Sequence, residues 1–237
     1  MKQLQQITFA TVVALGLSAC GGVGSDPNEE TPTEIAHHGT TYGFVTSPFT
    51  GKVWLDRNLG AARVCEQLDD EACFGDYYQW GRGFDGHQDP LSGTTDATTV
   101  NHKDVGHGDF IIGHGDWVIR KGSRPQRRLK WAKADGSSVC PVSFRVPTLT
   151  EFQAELSATG ANAQNNVDTF NTFLKLSSSG ERSFTTGLLV DQDANGRLWT
   201  NDTGGSISGV VFFDSGIVNF FSEQHRANGY PVRCIKE

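Results

Sequence analysis

The residues with the clearest capacity for chemistry form one basic stretch in an otherwise acidic chain. Seven of the 20 lysine and arginine residues lie close together and no acidic residue interrupts them, although the chain has a formal net charge of −7. They are Arg120, Lys121, Arg124, Arg127, Arg128, Lys130 and Lys133. Because guanidinium forks match carboxylate and phosphate oxygens, the stretch is a candidate binding surface for an anionic glycan or a surface protein. The alternative is a solvated loop that pairs with the domain's own acids.

A second candidate site is the turn DQDANG, which resembles the start of an EF-hand calcium loop. Asp191, Asp193 and Asn195 occupy three ligand positions of such a loop, and Asp202 occupies its last position. That last position is normally a glutamate, and the flanking residues favour strands over helices. We therefore predict a β-hairpin closed by Asn195-Gly196, with a calcium ion at the hairpin tip as the alternative.

The tetrapeptide Gly-His-Gly-Asp occurs twice, at residues 106–109 and 113–116. Its two copies supply four side chains of metal-ligand type, those of His107, Asp109, His114 and Asp116. We favour two glycine-rich turns in which the aspartates accept hydrogen bonds from nearby backbone amides. The surrounding segment, residues 81–130, has almost no periodicity, and so long a run in a domain is usually functional or wraps the fold.

The amino terminus has the pattern of a bacterial lipoprotein signal peptide. Residues 1–19 contain an apolar run and end in an aliphatic residue and two small ones, and Cys20 follows as the residue to be lipidated. This lipobox-like pattern predicts export and a lipid anchor as the contact with the membrane. Gly21 indicates sorting to the outer membrane. The polar residues 20–41 predict a disordered tether, and residues 42–237 predict the folded domain.

The four cysteines that follow Cys20 predict disulfide bonds. An even number of cysteines in an exported chain is typical of disulfides, and no CxxC pair favours a metal site. Of three possible pairings we favour Cys65–Cys73, which are close in sequence, and Cys140–Cys234. The second bond would tie an internal strand to the carboxyl-terminal strand.

The segment from Cys140 to Leu156 predicts a strand followed by a helix. Residues 144–146 alternate as in a half-buried strand, and Pro147 stops that strand. Thr148 and Glu151 have the spacing of a helix capping box, and the residues that follow give the helix one apolar face.

Other elements are predicted from shorter patterns. Residues 52–56 predict a strand covered on both faces, Asp76 predicts the N-cap of a short helix, and residues 166–176 predict a second helix. Strand-like stretches follow at 184–190, 197–200, 209–213, 217–221 and 229–235.

Composition sets further limits. Hydrophobic residues make up 37% of the chain and include 15 Phe and 5 Trp, which is enough to fill a core. The 28 glycines predict many loops and short strands. The acidic balance argues against nucleic acid as a partner.

Four sequence blocks, in this order, resemble the Fibrobacter succinogenes major paralogous domain. They are VWLDRNLGA, GDYYQWGR, CPVSFRVPTLTEF and RANGYPVRCIKE. The resemblance implies an exported bacterial protein, often a lipoprotein, with an α+β, C-type-lectin-like fold. In that fold two helices flank small antiparallel sheets with long loops, and the termini lie together, which fits a Cys140–Cys234 bond.

These observations predict an exported, lipid-anchored, non-catalytic surface module that binds a glycan or a protein. No cofactor is expected, with calcium as the exception considered above. The alternatives are a purely structural surface protein and an enzyme related to the formylglycine-generating enzymes, which share a lectin-like fold and use reactive cysteines. Two disulfides would leave none of the four later cysteines as a thiol for that chemistry.

Overall fold

The computed structural model describes residues 32–119, 121–158, 160–205 and 207–237, without the side chains of residues 121 and 221–223. The predicted signal peptide, Cys20, most of the predicted tether and Arg120 therefore lie outside the described residues. The residues from Thr33 to Glu237 form one folded unit.

The elements are short, as the glycine content predicts. The strands are β1 (Glu34–His37), β2 (Thr40–Thr46), β3 (Val53–Leu55), β4 (Tyr78–Gln79), β5 (Thr94–Thr95), β6 (Phe110–Ile111), β7 (Phe144–Arg145), β8 (Glu181–Arg182), β9 (Leu189–Val190), β10 (Gly196–Gly204), β11 (Ile207–Phe213), β12 (Val218–Gln224), β13 (Gly229–Tyr230) and β14 (Ile235–Lys236). The α-helices are α1 (Arg124–Trp131), α2 (Leu149–Leu156) and α3 (Asn166–Asn171), and 3₁₀ turns cover Glu71–Cys73 and Lys121–Ser123.

An antiparallel sheet in the order β1-β2-β3-β14-β7 joins the beginning of the folded unit to its end. The last strand, β14, lies between β3 and β7. The predicted Cys140–Cys234 bond connects β14 to the segment that leads into β7, and Cys65–Cys73 forms the other disulfide. Closing a loop with a sequence separation of 94 restricts the unfolded chain, which is worth about 4–5 kcal/mol by loop entropy.

The hydrophobic core has two halves because successive side chains of a strand point to opposite faces. Trp54 and Leu55 are adjacent in β3, and both are fully buried, in different halves of the core. Leu198 and Trp199 divide in the same way in β10, which forms a three-stranded sheet with β11 and β12. Helix α2 covers one half, where the Phe152 ring lies 5.1 Å from that of Trp54. The predicted burial of both faces of β3 is confirmed.

Helix α2 begins at the predicted capping box. The Thr148 hydroxyl accepts the Glu151 N–H at 3.2 Å, and the Glu151 carboxylate accepts the Thr148 N–H at 2.8 Å. The second predicted helix begins where expected, because the Asn165 side chain accepts the Asp168 N–H as an N-cap. It is shorter than predicted and ends at Asn171.

The boundary of the predicted tether is wrong. Residues 34–41 form strand β1, the turn after it and the start of β2, so they belong to the folded unit. The turn contains His38 and Gly39, whose φ angles of 46° and 81° are both positive. A two-residue turn with two positive φ angles matches the twist of a hairpin, and glycine adopts such an angle without steric cost.

The helix predicted at Asp76 is also wrong. Tyr78 and Gln79 form β4, which pairs with β13 near the end of the chain. A different aspartate, Asp70, caps a 3₁₀ turn by accepting the Ala72 N–H at 3.2 Å. Pairing with a distant strand thus replaces the local helical pattern in this segment.

The hairpin predicted around Asn195-Gly196 does not form. Strand β9 pairs with β8, and β10 pairs with β11, so the turn links two different sheets. The local turn signal was correct, but it did not specify which strands would pair.

Buried arginines hold the long segment that follows β4. Arg82 donates to the carbonyl oxygens of Asp109 and His107, each at 2.9 Å. Arg182 donates to the carbonyl oxygens of Asp89 and Ser92 at 2.9 and 2.6 Å. The segment therefore wraps the fold, and guanidinium groups satisfy carbonyls that β-sheet pairing leaves open.

The molecule belongs to the mixed α+β class, as predicted, with short helices and mostly antiparallel strands. Within the described ranges, no helix has both the length and the apolar character needed to span a bilayer.

Candidate functional site

The candidate site is a pocket of about 330 Å³, which we call the acidic pocket. Its walls come from the β1–β2 hairpin, the turn after β3, the start of β4 and the loop after β4. The lining residues are His37, His38, Thr40, Tyr42, Leu59, Gly60, Asp76, Tyr78, Phe84, Gln88, Asp89 and Pro90. The volume lies within the usual range for ligand pockets.

The carboxyl group of Asp76 is placed in the pocket by backbone contacts. The Asp76 N–H donates to the Leu59 carbonyl at 2.8 Å. Gly60 has a φ angle of +77°, and a Cβ atom at this position would lie 2.3–2.7 Å from the Asp76 carboxyl atoms. The Gly60 N–H donates to the Tyr42 hydroxyl at 2.9 Å. Gly60 is thus required both for the turn and for the space that the carboxyl occupies.

The surroundings keep the Asp76 carboxyl close to half-protonated at neutral pH. Burial, with a smaller contribution from the nearby charge of Asp89, raises its pKa from 3.8 to about 7. The Tyr78 hydroxyl donates to the carboxyl at 3.3 Å and partly opposes this rise. At pH 7 the group can therefore both donate and accept hydrogen bonds.

Arg182 fixes the rim of the acidic pocket. It is less than 2% exposed, and it donates to the His87, Asp89 and Ser92 carbonyls and to the Ser92 hydroxyl. Its Nε donates to the Gly187 carbonyl at 2.9 Å. The loop that carries Gln88, Asp89 and Pro90 is therefore tied to strand β8.

Two stacked rings form one wall of the acidic pocket. The rings of His38 and Phe84 are nearly parallel, with centroids 3.6 Å apart. Next to them, the Nε2–H of His37 donates to the Val139 carbonyl at 2.7 Å. Burial lowers the pKa of both imidazoles, which favours the uncharged form of each ring. The wall presents flat, uncharged rings to a ligand.

A second cleft of about 530 Å³, the basic cleft, lies on the other side of this wall. It shares His37, His38 and Phe84 with the acidic pocket. Its other lining residues are Gly83, Asp85, His102, Lys103, Asp104, Val105, Lys130, Gly136, Ser137 and Ser138.

The predicted basic surface is not a loop, because Arg124–Trp131 forms α1. Arg127 is less than 2% exposed, and its guanidinium donates to the Asp116 carboxylate at 2.9 and 2.7 Å. Its Cζ atom also lies 5.3 Å and 5.0 Å from the ring centroids of Trp80 and Trp117. Arg127 is thus a core residue, and for this residue the predicted exposed contact is wrong.

The other described cations of this stretch differ in their surroundings. The Arg124 guanidinium donates to the Gly205 carbonyl, and the Lys133 ammonium lies 3.5 Å from the Asp135 carboxylate. Arg128 is exposed, and Lys130 lines the basic cleft. The helix therefore distributes the cations around its circumference instead of presenting one surface.

The four residues of the predicted calcium site do not converge. Asp202 accepts the Leu149 N–H at the start of α2, at 2.5 Å. Asn195 accepts a hydrogen bond from Arg197 at 2.8 Å, and Asp191 lies 3.4 Å from the same guanidinium. Asp193 lies in the same turn as Asp191 and Asn195. The extended residues of β10 separate this turn from Asp202 by about 20 Å.

The repeated Gly-His-Gly-Asp segments form turns. His107 accepts the Asp109 N–H at 3.1 Å, and Asp116 is held by Arg127 and Arg226. No metal-binding group of three or more His, Cys, Asp or Glu side chains, His114 included, is present in the parts of the chain that the structure describes.

The contribution of Asp76 was missed from the sequence, where it reads as a helix cap. The one local signal is an acid followed directly by two tyrosines, since the partners that form the pocket are distant in the chain. His37 and His38 were missed because the polar sequence around them predicts a tether.

Comparisons with protein-family models, with curated proteins and with solved structures gave no match to this chain.

Proposed function

We propose that the chain is an exported, lipid-anchored, non-catalytic module that binds a glycan in the acidic pocket. The observation that carries this proposal is the half-buried Asp76 carboxyl beside uncharged aromatic rings. Sugars combine hydroxyl groups with apolar C–H faces, and the pocket offers a complement to each. Lipidation at Cys20 and an outer-membrane location are part of the same proposal, on the sequence pattern alone.

The polar atoms of the pocket suit hydroxyl ligands. Near pH 7 the Asp76 carboxyl exchanges a proton, so it can accept from one hydroxyl or donate to another. Asp89 and Gln88 on the rim add further oxygen and amide groups. A few polar groups within a mostly pre-formed concave site are typical of small-ligand pockets.

The aromatic wall suits the apolar face of a sugar ring. Phe84 is 45% exposed, which is high for a large hydrophobic side chain that already stacks on a neighbouring ring. Rigid rings contribute contact area at a low cost in conformational entropy. Stacking on this wall would orient a sugar so that its hydroxyls face Asp76.

The C-type-lectin-like fold is proposed as the finer description of the α+β architecture. It is supported by the position of β14 in the same sheet as β1–β3 and by the Cys140–Cys234 bond, which together bring both ends of the folded unit into one sheet. The long loops and two helices of the family pattern have counterparts in the segment after β4 and in α2 and α3. Helix α1 is additional.

Glycan binding is tested by screening an oligosaccharide array with the full-length protein and then measuring Kd by titration calorimetry for each positive glycan. Asp76→Asn and Phe84→Ala should each weaken binding about tenfold, since each removes about 1–2 kcal/mol of contact. Asp69→Asn and Phe49→Ala are matched controls. Asp69 is exposed outside the pocket, and Phe49 is 40% exposed. An array without positive glycans, or pocket variants that bind like the wild type, would refute the proposal.

Glycoside hydrolysis is a second candidate function for the same pocket. Glycosidases use two carboxyl groups, one of which holds a proton near neutral pH, and Asp76 and Asp89 are such a neighbouring pair. Product analysis after prolonged incubation with each bound oligosaccharide decides between the two functions. Cleavage by the wild type that Asp76→Asn abolishes would establish hydrolysis, whereas intact oligosaccharide supports a binding module. The thiol-dependent alternative has no support among the described residues, because all four of their cysteines are in disulfides.

A further inference from the structure

We propose that the bound glycan is acidic, and that the basic cleft holds its negatively charged sugar unit while a neighbouring unit occupies the acidic pocket. This inference rests on the proposed function and names the class of ligand. An anionic substituent on the sugar, either a carboxylate or a sulfate, is the chemistry that the cleft would recognise.

The two clefts are adjacent in a way that suits a chain of sugars. His37, His38 and Phe84 line both of them, so the stacked rings form a ridge with one cleft on each side. A ligand longer than one sugar that stacks on the ridge can extend into both clefts. Two neighbouring units of the same oligosaccharide would then occupy the two clefts.

The basic cleft contains two lysine side chains that the fold does not neutralise. Lys103 and Lys130 make no ion pair with any carboxylate in the described part of the chain. A Cβ atom on Gly83 would lie 2.9 Å from the Lys130 Nζ, so this ammonium lies against the floor of the cleft. An ammonium group can donate hydrogen bonds to an anion from many directions, which suits a charged substituent on a flexible sugar.

The acidic residues of the same cleft are already engaged. The Asp85 carboxylate accepts from Arg82 Nε at 2.8 Å and from His87 Nδ1 at 2.6 Å. Asp104 accepts the Gly106 N–H at 3.0 Å. In the lining, Lys103 and Lys130 balance Asp85 and Asp104, and Arg82, which is buried and pairs with Asp85 from outside the lining, brings the local balance to +1.

The acidic pocket has the opposite character. Its lining contains Asp76 and Asp89 and, among the described residues, no lysine or arginine. An anionic sugar is therefore repelled from the pocket and favoured in the cleft. This difference sets the orientation of the ligand across the ridge.

The test compares matched pairs of ligands on the full-length protein in detergent. Oligosaccharides of galacturonate, of mannuronate and of hyaluronan, each with its methyl ester, form the carboxylate arm. Chondroitin sulfate fragments and their desulfated forms make up the sulfate arm. Titration calorimetry at about 50 mM and about 300 mM salt gives the affinity ratio within each pair, since exposed charges are screened more strongly at the higher salt.

At least one charged member should bind about threefold to tenfold more tightly than its uncharged or less charged partner at low salt, and this ratio should fall at high salt. In the double variant Lys103→Ser/Lys130→Ser the ratio should fall to about one. The control is Arg128→Ser. Arg128 is an exposed cation on α1, the helix that carries Lys130, but it does not line the basic cleft, so this variant should keep the wild-type ratio.

The outcomes separate this inference from the proposed function. If glycans bind through Asp76 but no pair shows a charge preference, the acidic-ligand inference is overturned and the binding function stands. A preference that persists in the double lysine variant also overturns the inference. If no member of any pair binds and the array of glycans is negative as well, both proposals fail.

Discussion

The acidic pocket and the basic cleft share one ridge of rings, yet they are built in different ways. The pocket is assembled from segments held by buried groups, with Gly60 making room for Asp76 and Arg182 tying the rim. The cleft instead contains lysines that no described partner orients. Building the pocket costs stability because a carboxyl is partly desolvated there, whereas exposed lysines cost the fold little. Under the proposed function, the pocket would select ligands mainly by shape and the cleft by charge.

Removing Arg182 should have the largest effect on this contrast. Arg182→Ala removes the donor from the buried carbonyl groups of Gly187 and His87 and from the part-buried ones of Asp89 and Ser92, so we expect a loss of about 3 kcal/mol in the free energy of unfolding. Urea unfolding of the variant and the wild type measures this loss. Arg182→Lys should recover only part of the loss, because one ammonium cannot reach all these carbonyls. A loss below about 1 kcal/mol would show that the rim is held by other contacts.

The Asp76 carboxyl should make stability depend on pH. Its pKa is about 7 in the folded protein and near 3.8 in the unfolded chain, so the folded state keeps a proton that the unfolded chain loses above about pH 4. The stability from this group is therefore greatest below pH 4, falls as pH rises, and is lost above about pH 7. The difference between the two pKa values sets an upper limit of about 4 kcal/mol on this change in the free energy of unfolding, and solvent screening reduces it.

Asp76→Asn removes this titration while keeping an oxygen that can accept from Tyr78. The variant should be about 1–3 kcal/mol more stable than the wild type at pH 8. At pH 4 that advantage should have largely disappeared. Urea unfolding of both proteins at pH 4 and pH 8 gives the comparison. A stability difference between variant and wild type that is the same at both pH values would contradict the raised pKa.

Gly60→Ala should damage the pocket itself. The substitution adds a methyl group where the Asp76 carboxyl lies, at a positive φ angle, and we expect a loss of about 2 kcal/mol in stability together with weaker glycan binding. Gly51→Ala is the matched control. Gly51 has a similar φ of +72° and no atom within 4 Å of an added Cβ. Equal losses in the two variants would mean that backbone strain alone accounts for the effect.

The smallest expected effect belongs to the basic cleft. The double variant Lys103→Ser/Lys130→Ser should change the free energy of unfolding by no more than about 0.5 kcal/mol, because neither lysine has an ion-pair partner among the described residues. Thermal unfolding provides the measurement. A loss of several degrees in Tm would mean that these lysines support the fold, and the two clefts would then be less different than proposed.

Local sequence patterns were reliable where neighbouring residues decide the structure. Thr148 and Glu151 form the predicted capping box, and the two disulfides have the predicted pairing. Adjacent Trp54 and Leu55 occupy opposite halves of the core, as the alternation of a strand requires. In each case the cause acts within a few residues or follows from a small number of alternatives, so the pattern of residues was enough to predict the outcome.

Contacts between distant segments set which side chains share a site. His37 meets the Val139 carbonyl across 102 positions of the chain, and the Asp76 carboxyl occupies space that Gly60 leaves open. Arg127 belongs to a basic run in the sequence but lies in the core, because Asp116 and two tryptophans surround it after folding. Burial and charge pairing between distant segments are properties of the packed chain, and no local pattern of residues encodes them.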